Sequence, residues 1–418
     1  MARRSTKPIR VGVFGAWRGA GFAELAPQVG MKPVAVCDQW ESRAQQVAEK
    51  LDLTAYTDFD RFVEHEMDAV VLCNYFHQHA PYAIRCLQAG LHVMSETAAC
   101  KTLGEGVALA RAAEKSKAIY FFAENYPFFA TNQEMRRLYQ AGEIGECRFA
   151  EGEYVHPVTA RDSNWLSPGL NHWRNWLPVT YYCTHALAPL MHVTDFMPLT
   201  VNAQAIPRTA EQLAEPQVRR GDISCYMMLR MDSEAVFGLN GGCNGLSGHG
   251  NWYRFQGTRG LMETFRMGQM DKVRVVHEAF NLPEGGSREK IYAPEFPVAG
   301  DLATRAGHGG GDFFVMHHFA EAIRRREQPW FNVYRALAMS VVGIQGWRSA
   351  LDQGAAYLIP DFSNETARAP YENDQWSPYP EDAGPGQPPV SVKGRIEPTR
   401  AQIAAARKVW KERGAEGK

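Results

Sequence analysis

Over the first 125 residues of the chain, short apolar runs alternate with amphipathic stretches. The apolar runs at Ile9–Phe14, 33–37, 69–73, 92–94 and 119–122 have the composition and length of strands. Between them, 40–51, 79–89 and 103–115 repeat apolar positions three or four apart, the period of a helix with one packed face. Strands alternating with helices predict a parallel sheet covered on both faces. A further helix at 128–141 ends at Gly142, a residue suited to a helix stop. The texture then changes. Residues 147–156, 222–231, 235–240, 252–256 and 272–277 read as strands without regular helices between them, which predicts a mostly antiparallel sheet. Helices follow at 313–325 and 334–353. The stretch 367–389 is rich in Pro, Gly, Asp and Tyr and predicts an extended arm, and 398–413 predicts a terminal helix with Pro398 near its first turn.

Right-handed crossovers make the N-terminal pattern a Rossmann-type arrangement. The fold class is α/β plus α+β: an N-terminal Rossmann domain and a C-terminal domain built on an open, mostly antiparallel β-sheet. The expected bounds are 1–127 for the first domain and 128–362 for the second, one late helix of which can pack back on the first; 363–418 form the arm and terminal helix. The arm is expected to cross to a neighbouring copy in a homo-oligomer. Composition fits two ordinary domains, with 45% hydrophobic and 22% charged residues. A net charge of -1 removes the electrostatic case for a nucleic-acid or anionic-membrane partner. The basic start MARRSTKPIR is not followed by an apolar leader segment, and no apolar run has membrane-spanning length, so a cytoplasmic location is expected. The eight cysteines form no CxxC pair and read as buried free thiols.

The first candidate chemistry lies where the opening strand runs into Gly15-Ala16-Trp17-Arg18-Gly19 and a helix. Gly15 allows a tight turn beside a pyrophosphate, and Gly19 allows close packing of helix on strand, with the helix N-terminus facing phosphate. Trp17 stands near the second glycine of a GxGxxG pattern, so a purely structural turn accounts for these glycines equally well. The strand at 33–37 ends at Asp38, whose carboxylate can accept both hydroxyls of an adenosine ribose and would repel a 2′-phosphate. The alternative for Asp38 is a cap on the helix starting at Trp40. Strand, turn, helix, strand and acid together point to NAD as cofactor.

Further motifs accompany this unit: Asn74-Tyr75-Phe76-His77-Gln78-His79, Ala89-Gly90-Leu91-His92-Val93-Met94-Ser95-Glu96, Glu124-Asn125, Gly257-Thr258-Arg259-Gly260-Leu261-Met262-Glu263-Thr264 and Ile359-Pro360-Asp361-Phe362. In this order the chain resembles the Gfo/Idh/MocA oxidoreductases. The resemblance implies a Rossmann domain followed by an open sheet whose inner face covers the nicotinamide and holds a sugar or cyclitol. It implies cofactor contacts from Gly15, Trp17, Arg18, Gly19, Asp38, Asn74, Tyr75, His79, Glu96, Thr97 and Asn125. Dehydrogenases of this family typically carry Glu-Lys-Pro after the fifth strand, and an Asp and a His four apart on the helix opening the second domain. Here the first reads Glu96-Thr97-Ala98, and in Tyr182-Cys183-Thr184-His185-Ala186-Leu187-Ala188-Pro189 the corresponding pair is His185 and Pro189. That segment is similar to the Tyr-Pro-Thr-His-Gly-Leu-Gly-Pro of the NAD-dependent α-N-acetylgalactosaminidases. Glu151-Gly152-Glu153-Tyr154-Val155-His156, Trp173-Arg174 and Gly307-His308-Gly309-Gly310-Gly311-Asp312 resemble substrate-facing elements of that branch.

Oxidising a ring alcohol requires a base within hydrogen-bond reach of the hydroxyl while hydride departs. Tyr182 and His185, three apart and thus on one face of a helix, are the expected catalytic pair. Tyr154, His156, Arg174, Thr184 and His308 are the expected substrate contacts, His308 because its Gly-rich loop permits close backbone approach. His156 reads equally as a turn cap before Pro157. Trp165, Trp173 and Trp176 offer faces for a sugar or simply pack a loop. Glu151, Glu153, His156, His185 and His308 contain no HxH or HxxxH ligand pair, so no metal is expected. The leading function is oxidation of a ring hydroxyl of a carbohydrate with NAD. The alternatives are a redox-neutral glycoside hydrolase with retained NAD, and a catalytically silent NAD- or sugar-binding protein.

Overall fold

The computed structural model describes residues 7–243, 245–282 and 284–415. The chain divides into two compact units. The first holds the chain up to Gln133, Glu295–Ala338 and Asp361–Asp374; the second holds Glu134–Pro294, Met339–Pro360 and the chain from Gln375.

Six parallel strands form the sheet of the first unit: β1 (Ile9–Phe14), β2 (Met31–Cys37), β3 (Thr54–Tyr56), β4 (Ala69–Leu72), β5 (His92–Ser95) and β6 (Tyr120–Phe122). Their order is β3-β2-β1-β4-β5-β6, that of a Rossmann fold. The helices are α1 (Ala16–Leu25), α2 (Glu41–Leu51), α3 (Phe59–Val63), α4 (His79–Gln88) and α5 (Leu103–Lys115). All four residues of β4 are fully buried, because the sheet is covered on both faces; this is why the strand reads as an unbroken apolar run. Pro33 has no N–H for the ladder, and the β1–β2 register shifts there, between Val11 and Gly12. Thr102 opens α5 by accepting the Glu105 N–H at 3.1 Å.

Two late segments join this unit, where the sequence predicts an N-terminal domain of residues 1–127. The helix Gly311–Arg325 buries Phe313, Phe314 and Phe319, with the Phe319 ring 6.1 Å from Phe121 of β6. Arg368, 2% exposed, donates to Glu114 of α5 at 2.6 Å. Both an apolar stripe and a buried cation thus find their partners on the first unit.

The second unit is built on a nine-stranded sheet. Its strands are β7 (Cys147–Val155), β8 (Pro198–Ile206), β9 (Ser224–Met231), β10 (Val236–Cys243), β11 (Gly250–Gly257), β12 (Leu261–Glu263), β13 (Val273–Val276), β14 (Glu289–Tyr292) and β15 (Tyr357–Leu358). The order is β14-β13-β12-β11-β7-β10-β9-β8-β15, antiparallel except for the β7–β10 pair. Cys225, Met227, Leu229 and Met231 of β9 are buried, while Tyr226 and Met228 face solvent, each 50% exposed. The division between the units falls within α6 (Ala130–Gln140). A short α7 (Ala160–Leu166) precedes α8 (Thr184–Thr194), which is buried along its whole length against β7, β10 and β11.

The segment from Gln375 onward belongs to the second unit. It carries its own apolar anchors. Tyr379 and Val390 are buried, and Trp347 donates its indole N–H to Pro389 O at 2.9 Å. The terminal helix Arg400–Glu412 starts with a Thr399/Gln402 capping box and buries Trp410, which donates to Asn164 O at 2.9 Å. No helix among the described residues is long and apolar enough to cross a membrane.

Candidate functional site

In the first unit the geometry is set by the end of β1. Gly15 has φ 99°, and a Cβ there would stand 2.3 Å from Cys73 O, so only glycine fits. At Gly19 a Cβ would stand 2.1 Å from a methyl of Val13, so α1 packs hard on β1. Asp38 follows β2 and is 8% exposed. It accepts the Ala16 N–H at 2.7 Å and the Trp40 N–H at 2.9 Å. Burial raises its pKa against the pull of those two N–H groups. The carboxylate thus caps the start of α1 as well as the approach to α2. Trp17 is 46% exposed and sets its ring edge-to-face on Trp40 at 6.0 Å, with the Arg43 guanidinium 4.7 Å above it. The bulky residue at the broken glycine position turns outward onto α2.

Asn74 lies directly after Cys73, beside the Gly15 turn, and both atoms of its side-chain amide are buried without a hydrogen-bond partner. His79 faces two backbone carbonyls, Ala98 O at 2.9 Å and Asn74 O at 3.3 Å, and burial lowers its pKa to about 4. The neutral ring has one N–H, so it donates to one of these carbonyls while lying against both loops. The Tyr75 ring stacks 6.1 Å from His77, and Thr97 is buried, its N–H on Glu96 at 3.4 Å.

Arg18, Asn125 and His308 converge on the Asp312 carboxylate, and Arg18 also holds Glu96. Arg18 grips Asp312 with two N–H groups at 2.6 and 2.7 Å and Glu96 with a third at 2.8 Å. Asn125 donates to Asp312 at 2.9 Å, and His308 Nδ1 lies 2.9 Å from the same group. Burial pushes the Asp312 pKa up, but hydrogen bonds from Arg18 and His308 outweigh it and hold the carboxyl below its usual range. Its place in the first turn of the helix Gly311–Arg325 also favours the charge. The sequence signals for Asp312 were its place in the Gly307-to-Asp312 stretch and its position after a glycine run at a helix start.

In the second unit an aromatic and histidine cluster forms where β7 ends beneath α8. Tyr182 closes a 3-10 turn, Val179–Tyr182, and His185 lies in the first turn of α8, so two short elements rather than one helix bring them together. Their rings meet edge-to-face at 5.1 Å. The Tyr154 ring lies 4.8 Å from His185 and 5.8 Å from Tyr182. Trp173 stacks on Tyr182 at 6.5 Å, and the Arg174 guanidinium lies 4.2 Å above Trp173. His156, at the rim, is 4.6 Å from His249. Burial lowers the His156 pKa, helped by His249. Thr184, by contrast, is 1% exposed and turned into the core. Sequence reasoning missed His249 and Arg219. The register Gly250↔Val155 sets His249 opposite His156, a pairing visible only once β11 is known to lie beside β7. Arg219 is buried; burial, then Arg208 and Arg174, bring its pKa down to about 9. Among the described residues no group of three or more His, Cys, Asp or Glu is placed to hold a metal ion.

Comparison with known proteins places both halves. Residues 9–124 match the family model of the oxidoreductase family with an NAD-binding Rossmann fold (Gfo/Idh/MocA), and 203–368 match that of the glycosyl hydrolase 109 C-terminal domain. The chain joins a Gfo/Idh/MocA domain to a glycosyl hydrolase 109 C-terminal domain. Its relatives include a glycosyl hydrolase family 109 protein of Phocaeicola vulgatus, 23% identical with 85% of this chain and 84% of that protein covered. Another, from Saccharopolyspora erythraea, is 20% identical over 89% of this chain and 87% of its own. A levoglucosan dehydrogenase in complex with NADH and L-sorbose shares the fold, with TM-score 0.71, 18% identity, and 85% and 100% of the two chains covered. An oxidoreductase domain protein from Kribbella flavida does so with TM-score 0.72, 19% identity and coverage of 85% and 100%.

The chain is an enzyme with NAD as its cofactor. The residues of the first unit fit that group. Gly15 forms a cradle that a Cβ would fill, Asp38 offers a buried carboxylate beyond β2, and the Asn74 amide is a buried polar group awaiting a partner.

Proposed function

We propose that the protein oxidises a ring hydroxyl of a carbohydrate, with Tyr182 and His185 moving the hydroxyl proton. The observation that carries this reading is the Tyr154–Tyr182–His185 cluster, with ring centroids within 5.8 Å, flanked by Trp173 and Arg174. NAD, when bound, supplies the hydride acceptor; Gly15, Asp38 and Asn74 are the residues that hold it in this reading. A tyrosine beside a histidine can pass the hydroxyl proton on as hydride leaves. Arg174 and His156 supply hydrogen-bond donors at the edge of this cluster.

A second reading is favoured by the C-terminal match to the glycosyl hydrolase 109 family and by Glu96-Thr97-Ala98, which lacks the family's lysine. In it the transient ketone acidifies the neighbouring C–H, a protein base takes that proton, the aglycone is eliminated, water adds, and the ketone is reduced again. The net reaction is then glycoside cleavage without redox change. Incubating the protein and NAD with a panel of sugars and glycosides separates the two. Steady growth of absorbance at the reduced-cofactor band supports net dehydrogenation; sugar release without that growth supports cleavage.

The free thiols of the seven described cysteines support a reducing, cytoplasmic setting. Exposed Tyr226 and Met228 on β9 support association of copies through that sheet face in a homo-oligomer. A monomer mass in solution scattering contradicts the association.

A further inference from the structure

Pro189 stands inside α8. Proline has no N–H, so the carbonyl four residues earlier loses its usual helical partner. That carbonyl belongs to His185. It is met from the sheet instead: Tyr253 Oη donates to His185 O at 2.7 Å. Tyr253 is 1% exposed and sits on β11, and Thr264 fixes its backbone from β12's end. The Thr264 hydroxyl accepts the Tyr253 N–H at 3.0 Å, and the Thr264 N–H donates to Tyr253 O at 2.9 Å. The cross-strand neighbour of Tyr253 on β7 is Gly152, where any Cβ would stand 2.1 Å from Ala186 O. The missing side chain is what lets the start of α8 come down onto the sheet within reach of the phenol.

We infer that Tyr253 is a positioning residue for His185. With an ordinary residue at 189, the His185 carbonyl would be held by the helix's own ladder. With Pro189 it is held by a side chain of the sheet that also carries Tyr154. The imidazole therefore keeps its place relative to Tyr154 through the hydrogen bond from Tyr253, and the Thr264 end of the Gly257-to-Thr264 motif serves to hold that donor still. The inference rests on the proton-transfer reading of His185, yet the hydrogen bond itself is separately measurable.

Ala80 and Ala186 are the two alanines that follow a histidine in this sequence. Full-length protein with NAD, labelled with 13C at histidine carbonyls and 15N at alanine, therefore gives one signal for His185–Ala186 and one internal reference. Tyr253→Phe is expected to shift the His185–Ala186 signal and leave the His79–Ala80 signal in place. On a substrate that reduces the cofactor or releases sugar, the same variant is expected to lower kcat about ten-fold or more, to alter its pH profile, and to leave KM nearly unchanged. Adding Pro189→Ala restores an N–H to the helix, and the double variant Tyr253→Phe/Pro189→Ala is expected to recover most of the loss. An unmoved carbonyl signal overturns the inference, as does a kcat loss that the double variant fails to recover. Turnover undiminished in His185→Ala overturns the reading of His185 on which the inference rests, while the carbonyl shift still reports whether the hydrogen bond exists.

Discussion

Asp38 ties two backbone segments together, and in the proposed reading it also holds the cofactor. Its two oxygens hold the N–H groups of Ala16 and Trp40, which leaves each oxygen a further lone pair for a hydroxyl. A hydrogen bond to a charged group is worth about 1.5–3 kcal/mol. On the reading that Asp38 binds the adenosine ribose, Asp38→Ala weakens NAD about 10- to 100-fold, read by calorimetric titration, and narrows the gap to NADP. Unchanged NAD affinity contradicts that role. Arg18 and Glu96 are legible in the sequence only as individual motif members. Arg18 also binds Asp312, which comes from nearly three hundred residues away, and no local pattern announces such a meeting.

At the scale of elements, periodicity succeeded where an element buries one continuous face. β1, β4 and the helix Gly311–Arg325 were legible for that reason. β3, β12 and β15 were not, because each is only two or three residues long and shows no period. β8 was missed although it runs nine residues; its first residue is Pro198, its burial is broken, and Leu199 and Ile206 face solvent. The Tyr182–His185 pair was expected on one helix, yet a turn ends at Tyr182 and α8 starts at Thr184. Residue spacing foresaw the proximity, but not the break that sends Thr184 into the core. Pro and Gly dominate the composition of the stretch past Gln375, while buried Tyr379, Val390 and Trp410 anchor it within the second unit.

At the scale of the molecule, two histidines with lowered pKa values set an acid limit on stability. His79 and His318 both have pKa values lowered to about 4, chiefly by burial, from a usual 6.5. Each is neutral when folded and gains a proton when unfolded in the window between those values. Their contribution is therefore fully present above pH 6.5 and is lost as pH falls toward 4, up to about 3 kcal/mol each. Thermal melting is expected to fall between pH 7 and pH 5, and His79→Asn is expected to lessen the fall; an equal fall in that variant contradicts the assignment to His79.

The account turns on Tyr182 and His185 acting on a carbohydrate while NAD is held elsewhere in the chain. The direct measurement compares wild type, Tyr182→Phe and His185→Ala for turnover on sugars and glycosides, with NAD binding measured in parallel. Loss of a positioned acid–base group removes about 10²- to 10⁴-fold in rate. The account predicts a loss of that size in both variants with NAD affinity intact. Undiminished turnover in both, or a wild type that binds NAD and transforms none of these substrates, would contradict it.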